Sequence, residues 1–427
     1  MGMQFPEKDA ARYGRPLDGV RVLSLEQMQA LPMATQILSR LGAEVVKLEK
    51  LPRGDESRTS QPFMVEDGHR LGHTFLRYNM GKQSLAVDIK TAQGRELVLD
   101  LAPHFDIVCE NMGPGRAERA GLGYAAFAAR NQRIIYLSIS GFGETGESPY
   151  KNWPSYAHVP EAMCGAYEYS RQPNQPPVMM PMTGLGDTAT GLYGVIGVLA
   201  ALRHRDLMGE GQYVDMAMYD SMLAVTDTIT NFWSLGLRKE PDKPLRNPII
   251  LSAFRCRDGW LALFVTREHQ FERLANFIGK PEWVSDPKFA TRYGWCDHLE
   301  DTIRPGIEEC TLKMNKLDAA RELAEAGIAA APCNTVEDIL RDPHVAARRM
   351  LIEHPRHDGP AQPVLSTGNP IKMSKVAERP DGSYPKLGEQ TEDLLSRLLK
   401  LDQAALARLR AEGVIPDPGK NVGGANG

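Results

Sequence analysis

Asp187 is the residue around which any chemistry in this sequence is organised. It lies in Thr183-Gly184-Leu185-Gly186-Asp187-Thr188-Ala189-Thr190-Gly191, ahead of an apolar run from Leu192 to Leu202. Aspartate is a favoured helix N-cap, and the glycine before it permits a sharp turn. At the positive end of a helix dipole its carboxylate should stay ionised. The missing side chains around it leave room for a ligand. The same pattern also serves as a plain structural cap, so the case for chemistry depends on the rest of the chain. Lys50, Lys90 and Arg119 stand at or just beyond the ends of expected strands. Several cations converging outside strand ends would suit a polyphosphate ligand, although each alone reads as solvated surface charge.

Other motifs are weaker. Gly141-Phe142-Gly143-Glu144-Thr145-Gly146 matches G-x-G-x-x-G, but Pro149 and Pro154 follow where a dinucleotide site needs a helix. Neither G-x-S-x-G nor a Walker motif is present. His158 and His204 read as lone histidines, structural or exposed. Val178-Met179-Met180-Pro181-Met182 could line an adaptable apolar pocket or simply fill the core.

These residues need elements to place them. Val20–Leu25 reads as a buried strand, Pro32 sits in the first turn of a helix running to about Leu41, and Gly42 closes it. Ala43–Glu49 is the second strand of a βαβ unit, which implies a parallel sheet. Residues 56–74 look irregular. Strands follow at Ser84–Asp88, Phe105–Glu110, Arg133–Ser140 and Gln212–Met218, and the first ~200 residues read as an open α/β sheet. Gly191, Gly194 and Gly197 flatten one helix face, which suggests close packing on the sheet or another helix. Pro241, Pro244 and Pro248 mark a linker into a smaller α+β region containing a strand at Gly259–Val265. Helices near 392–399 and 402–412 precede a Gly/Asn-rich tail expected to be disordered.

At 427 residues the chain is long enough for two or three domains. Net charge of −4 gives no general pull toward nucleic acid or an anionic membrane. Six cysteines without metal-type or Cys-x-x-Cys spacing point to a reducing cytoplasm and to no metal site. The N-terminus lacks a signal-peptide core, and no apolar run reaches the ~18–20 residues needed to span a bilayer.

Several stretches together resemble the class III coenzyme A transferases, the family of formyl-CoA transferase and carnitine CoA-transferase. They are Leu17–Leu23, Leu41–Glu49, Asn79–Leu85, Glu110–Gly115, Gly209–Gln212 with Asp215, and Pro385–Thr391. The likeness spans about 18–400. It implies a Rossmann-like large domain made from both chain ends, a smaller central α+β domain, and two subunits interlocked like chain links. On this chain the large domain would comprise 1–224 and 336–415, the small domain 225–335, and the tail 416–427.

The resemblance also assigns roles. Gly186-Asp187 matches the family's nucleophile motif. Coenzyme A contacts fall on Gln29, Ala30, Lys50, Val87, Asp88, Ile89, Lys90, Asn111, Met112, Gly113 and Arg119. Acyl-CoA and a small carboxylic acid would be the substrates, with no tightly bound cofactor, and the partner would be a second copy or a paralogue. Catalysis would pass through an aspartyl anhydride and an aspartyl-CoA thioester, with neighbouring glycine amides holding the oxyanion. Two departures qualify this. Ala157 stands where related racemases carry an aspartate, which argues against racemase chemistry. No glycine-rich loop occurs between 240 and 260, which leaves the acyl substrate open. The alternatives are an acyl-CoA isomerase or racemase of the same superfamily and a non-catalytic partner subunit.

Overall fold

The computed structural model describes residues 14–66, 69–179, 184–238, 247–354, 356, 360, 362–376 and 382–417. All of the expected tail beyond residue 417, Met180–Thr183 and most of the proline linker lie outside them. The chain divides into two compact units. One takes in the described residues within Met1–Arg171, Pro177–Asn231 and Arg349–Gly427, and the other Gln172–Pro176 and Phe232–Arg348.

The first unit is built on six parallel strands: β1 (Arg21–Leu25), β2 (Glu44–Glu49), β3 (Gln83–Ala86), β4 (Ile107–Glu110), β5 (Ile135–Ser140) and β6 (Tyr213–Ala217). Their order across the sheet is β3-β2-β1-β4-β5-β6. Chain direction across the sheet therefore reverses between β1 and β4, and the crevice beyond the carboxyl ends there is where open α/β sheets bind ligands. The strands carry apolar residues on both faces, as a doubly covered parallel sheet requires. One face packs with Leu38 of helix α1 (Ala30–Arg40) and Val198 of a long later helix. The opposite face packs with Leu101, Phe127 and leucines from the chain's C-terminal end.

Between β5 and β6 run the short helices α2 (His158–Met163) and α3 (Ala166–Ser170) and then α4 (Leu185–Met208). The sequence marks the apolar stretch 192–202; the helix spans 24 residues. By length and composition it could cross a membrane, unlike any run expected from the sequence. Its glycine face lies instead against protein. A Cβ on Gly191 would come within 2.7 Å of the Ala30 carbonyl oxygen, one on Gly194 within 3.4 Å of Leu137, and one on Gly197 within 2.9 Å of Val214. The close packing expected of these glycines is thus met by α1, β5 and β6.

Residues 56–74 are more ordered than the sequence suggests. They form a 3₁₀ turn at Glu56–Thr59 and a hairpin pairing Phe63–Glu66 with His69–Gly72, leading into a helix at His73–Tyr78. The edge strand β3 is covered by the C-terminal chain, which protects its free hydrogen-bonding groups. Gln390 exchanges bonds with Ser84, the Ala86 N–H donates to Thr391 Oγ1 at 3.0 Å, and the Asp88 N–H to the Val414 carbonyl at 2.9 Å. Helices α5 (Thr391–Leu399) and α6 (Gln403–Ala411) complete that face with Leu394, Leu395, Leu406 and Leu409.

The second unit holds an antiparallel sheet of β7 (Ile250–Cys256), β8 (Gly259–Val265) and β9 (Ala329–Pro332), with β8 central. Phe271, Trp283, Phe289 and Trp295 form an aromatic cluster in its core.

Candidate active site

Asp187 is the third residue of α4, not its N-cap. The cap position falls on Gly184, with φ of +24° and no side chain to offer. The helix can start early because a carboxylate from another element takes one of its free amides: Glu161 Oε1 of α2 accepts from the Gly186 N–H at 2.9 Å. Glycine is needed here on space as well. A Cβ on Gly186 would meet the Ala157 carbonyl oxygen at 2.8 Å, and one on Gly184 would meet Ala157 Cβ at 2.7 Å.

Glu161 is fully buried. Its second oxygen accepts from the Tyr167 hydroxyl and lies 2.9 Å from His158 Nδ1. Burial pushes the Glu161 carboxyl up, but the Gly186 amide, Tyr167 and His158 outweigh it and hold it below the usual range. Asp187 goes the other way. Burial first, and then the charge of Glu161, push it up to about 6, while His158 pulls in the opposite sense. The sequence reading of an ionised carboxylate fits neutral pH, but burial and Glu161 narrow the margin. The carboxylate remains mostly ionised at neutral pH, but as a poorly hydrated anion. Burial raises the Tyr78 phenol, with Arg77 opposing and Asp187 adding to it, so the end of the 73–78 helix faces the same site.

Asp187 and Gly191 share a helix face one turn apart. Because Gly191 abuts Ala30, Asp187 lies toward the N-terminus of α1, on the carboxyl-end side of the sheet where the reversal occurs. The Gln29 Nε2 there is buried without a hydrogen-bond partner among the described residues. Asn111 spans the reversal itself, its side chain accepting from the Gln27 N–H and donating to the Gln27 carbonyl, both at 2.9 Å. Met112 and Gly113 continue from it, with Gly113 at φ +100°. Lys50 follows β2, exposed and paired with Glu56 at 3.2 Å. After β3, Val87 is buried, Asp88 and Ile89 are partly buried, and Lys90 is exposed. Arg119 is exposed in the turn of helix Arg116–Arg119 and donates to the Pro114 carbonyl at 2.9 Å. All of these positions follow carboxyl ends of adjacent strands.

A matching family profile, CoA-transferase family III, covers residues 17–391. Succinyl-CoA:mesaconate CoA-transferase of Haloarcula hispanica is 33% identical over 89% of this chain and 95% of its own length. Succinate–glutarate CoA-transferase of Agrobacterium fabrum is 34% identical over 91% and 97%. A solved CAIB/BAIF family protein from Brucella suis superposes with a TM-score of 0.78 at 33% identity, covering 90% of this chain and all of that one. The chain belongs to CoA-transferase family III. As a class III CoA-transferase it is an enzyme acting on CoA thioesters. Two relatives, 31% and 29% identical, are named as the beta and alpha subunits of a succinyl-CoA–L-malate CoA-transferase of Chloroflexus aurantiacus.

Other local features of the enzyme separate structural from reactive groups. The 141–146 glycine loop is a turn held by Asp215, which accepts from the Glu144 and Thr145 N–H groups at 3.0 and 2.8 Å. It does not open into a helix, so the dinucleotide motif is only a spacing coincidence. Val178 and Met179 are exposed and not core.

Sequence reasoning missed the buried charge cluster beneath the 26–29 loop. Lys47 lies 2.6 Å from Asp55, Lys82 2.6 Å from Glu26, and Arg58 2.6 Å from Glu49, with Lys47 and Glu26 also within 3.4 Å. The Met28 N–H donates to Asp55 at 3.1 Å, which holds that residue at φ +63° just before Gln29. Burial depresses Lys82 to about 8 despite Glu26. The available signal was Lys47 in the middle of an apolar strand, since a lysine there must be paired. His158 is likewise not lone: Glu161 and Tyr167 hold it beside Asp187.

Proposed function

We propose that this enzyme moves coenzyme A from an acyl-CoA donor to a carboxylic acid acceptor through Asp187. The observation that carries the reading is a poorly hydrated carboxylate, raised to about 6, at a helix start beside the sheet's switch point. An Asp187 oxygen attacks the thioester carbonyl, the C–S bond breaks, and CoA leaves as thiolate. The thiolate attacks the aspartyl carbonyl of the mixed anhydride and expels the donor acid. The acceptor carboxylate then attacks the aspartyl-CoA thioester, and the returning thiolate opens the new anhydride to free Asp187. No net proton is consumed. A carboxylate is the suitable nucleophile because an anhydride stays reactive toward a thiol, whereas a serine ester would trap the acyl group.

In this reading Gln29, Ala30, Lys50, Val87–Lys90, Asn111–Gly113 and Arg119 hold CoA, the exposed cations meeting its phosphates. The Gly186 amide, already donated to Glu161, is not free to hold an oxyanion, so that role passes to other donors. Succinyl-CoA is the donor to try first, because succinyl or succinate recurs in the relatives' names. The dimer is a homodimer or a heteromer with a paralogue, interlocked as in the family. The exposed apolar row Leu192, Ile196 and Leu199 on α4 supports a subunit interface. The free state of all six cysteines supports a reducing, cytoplasmic setting.

The test is mass spectrometry after incubation with candidate acyl-CoAs and hydroxylamine. A competent donor leaves a hydroxamate on Asp187. No label with any donor, together with exchange regained only on adding a paralogue, would favour the non-catalytic subunit.

A further inference from the structure

We propose that Glu161 is a positioning residue of the transfer reaction: one of its oxygens anchors the turn that carries Asp187, and the other aims the His158 imidazole beside it. The inference rests on the reading of Asp187 as nucleophile. Helix α4 has no side-chain cap, and its first residues follow Gly184 and include Gly186, the least restrained backbone a chain can use. The bond from the Gly186 N–H to Glu161 is charge-assisted and fixes the residue directly before Asp187. Glu161 and His158 are three residues apart in α2, so they share a face. The carboxylate holds the imidazole at Nδ1 and leaves Nε2, on a side chain 44% exposed, turned away from it.

Charge matters as well as shape. All three groups meeting Glu161 can donate, so it must accept from each. A glutamine keeps the shape and one acceptor oxygen but turns an NH₂ toward groups that are themselves donors. Among the described residues the groups coupled to Asp187 are Glu161 and His158 on α2 and Tyr78, with Arg77 beside it, on the 73–78 helix. Glu161 stays ionised while Asp187 titrates, so two carboxylates with opposed environments divide the roles of support and nucleophile.

The experiment measures kcat and KM across the acid range for E161Q and H158A, using the donor that labels Asp187. For E161Q the KM for acyl-CoA should hold, kcat should fall about ten- to a hundredfold, and the acid limb should move to lower pH. For H158A, at a half-exposed ring, the limb should move to higher pH with little change in melting temperature. Parental kcat and an unmoved limb in E161Q would sink the proposal. Should E161Q fail to fold, an unmoved limb in H158A would do so alone. D187N separates the two levels. Full exchange in D187N removes the nucleophile reading itself, whereas an inactive D187N beside an unaffected E161Q removes only this inference.

Discussion

Replacing Asp187 by asparagine should stabilise the protein while abolishing exchange. Asp187 has its carboxyl at about 6 in the folded chain against an ordinary 3.8. A group whose folded value is raised favours folding when protonated. That stability is complete below the unfolded value and is lost as pH rises through the folded one. The gap is worth about 3 kcal/mol, so at pH 8 the ionised carboxylate costs the fold about that much. Asparagine has the same shape and no charge, and removes the cost. At pH 4 the folded carboxyl is protonated and the unfolded one is only about half ionised, so the variant's advantage should shrink to about 0.5 kcal/mol. Urea unfolding at the two pH values, read by the shift in midpoint at constant slope, measures the difference. Thermal melts at pH 8 should show a rise of about 3–6 °C. A variant that is less stable at pH 8, or equally favoured at both pH values, would refute the argument that burial and Glu161 work against this charge.

Three further outcomes follow from the same geometry. With Asp187 at about 6, kcat/KM should fall about tenfold between pH 7 and pH 5, where an ordinary aspartate would lose only about 6%; a pH–rate profile distinguishes them. Glu26→Ala strips Lys82 of its buried carboxylate at 2.6 Å and Lys47 of its second one at 3.4 Å, and should cost about 3–5 kcal/mol in a denaturant titration. Gly191→Val places a Cβ about where the Ala30 carbonyl stands, 2.7 Å off, and should cost about 1–3 kcal/mol while raising the KM for acyl-CoA through displacement of the α1 start.

The parts of this enzyme legible in its sequence are those governed by local pattern. Apolar strands, the βαβ spacing around Pro32 and Gly42, and the glycines of α4 each state their own environment, and the sheet follows. The location of Asp187 at a glycine-lined helix start was also legible. Its position within the helix was not, because the cap that allows an early start is Glu161, 26 residues upstream. Nor was its raised titration, since that depends on burial and on a neighbouring charge delivered by α2. Residues 56–74 were misread because their order comes from long-range partners. Arg58, for example, is fixed by Glu49 and by the Pro385 carbonyl at 3.1 Å, and it lies 4.0 Å over the Phe75 ring.

The buried cluster and the Glu161 triad solve one mechanical problem from two sides. If Asp187 is the nucleophile proposed above, a glycine turn carrying it needs a rigid counterpart across the crevice, or substrate binding is spent on ordering both walls. On the α1 side, Lys47 and Lys82 are tied to Asp55 and Glu26, and Asp55 in turn grips the Met28 amide next to Gln29. On the α4 side, Glu161 grips the Gly186 amide next to Asp187. Each wall is thus held by a buried carboxylate on a backbone N–H one residue from a proposed site position. Both carboxylates are kept ionised by partners that outweigh their burial. Buried ion pairs seldom add stability over apolar packing. For Asp55 and Glu161, the backbone amides they hold account for their burial.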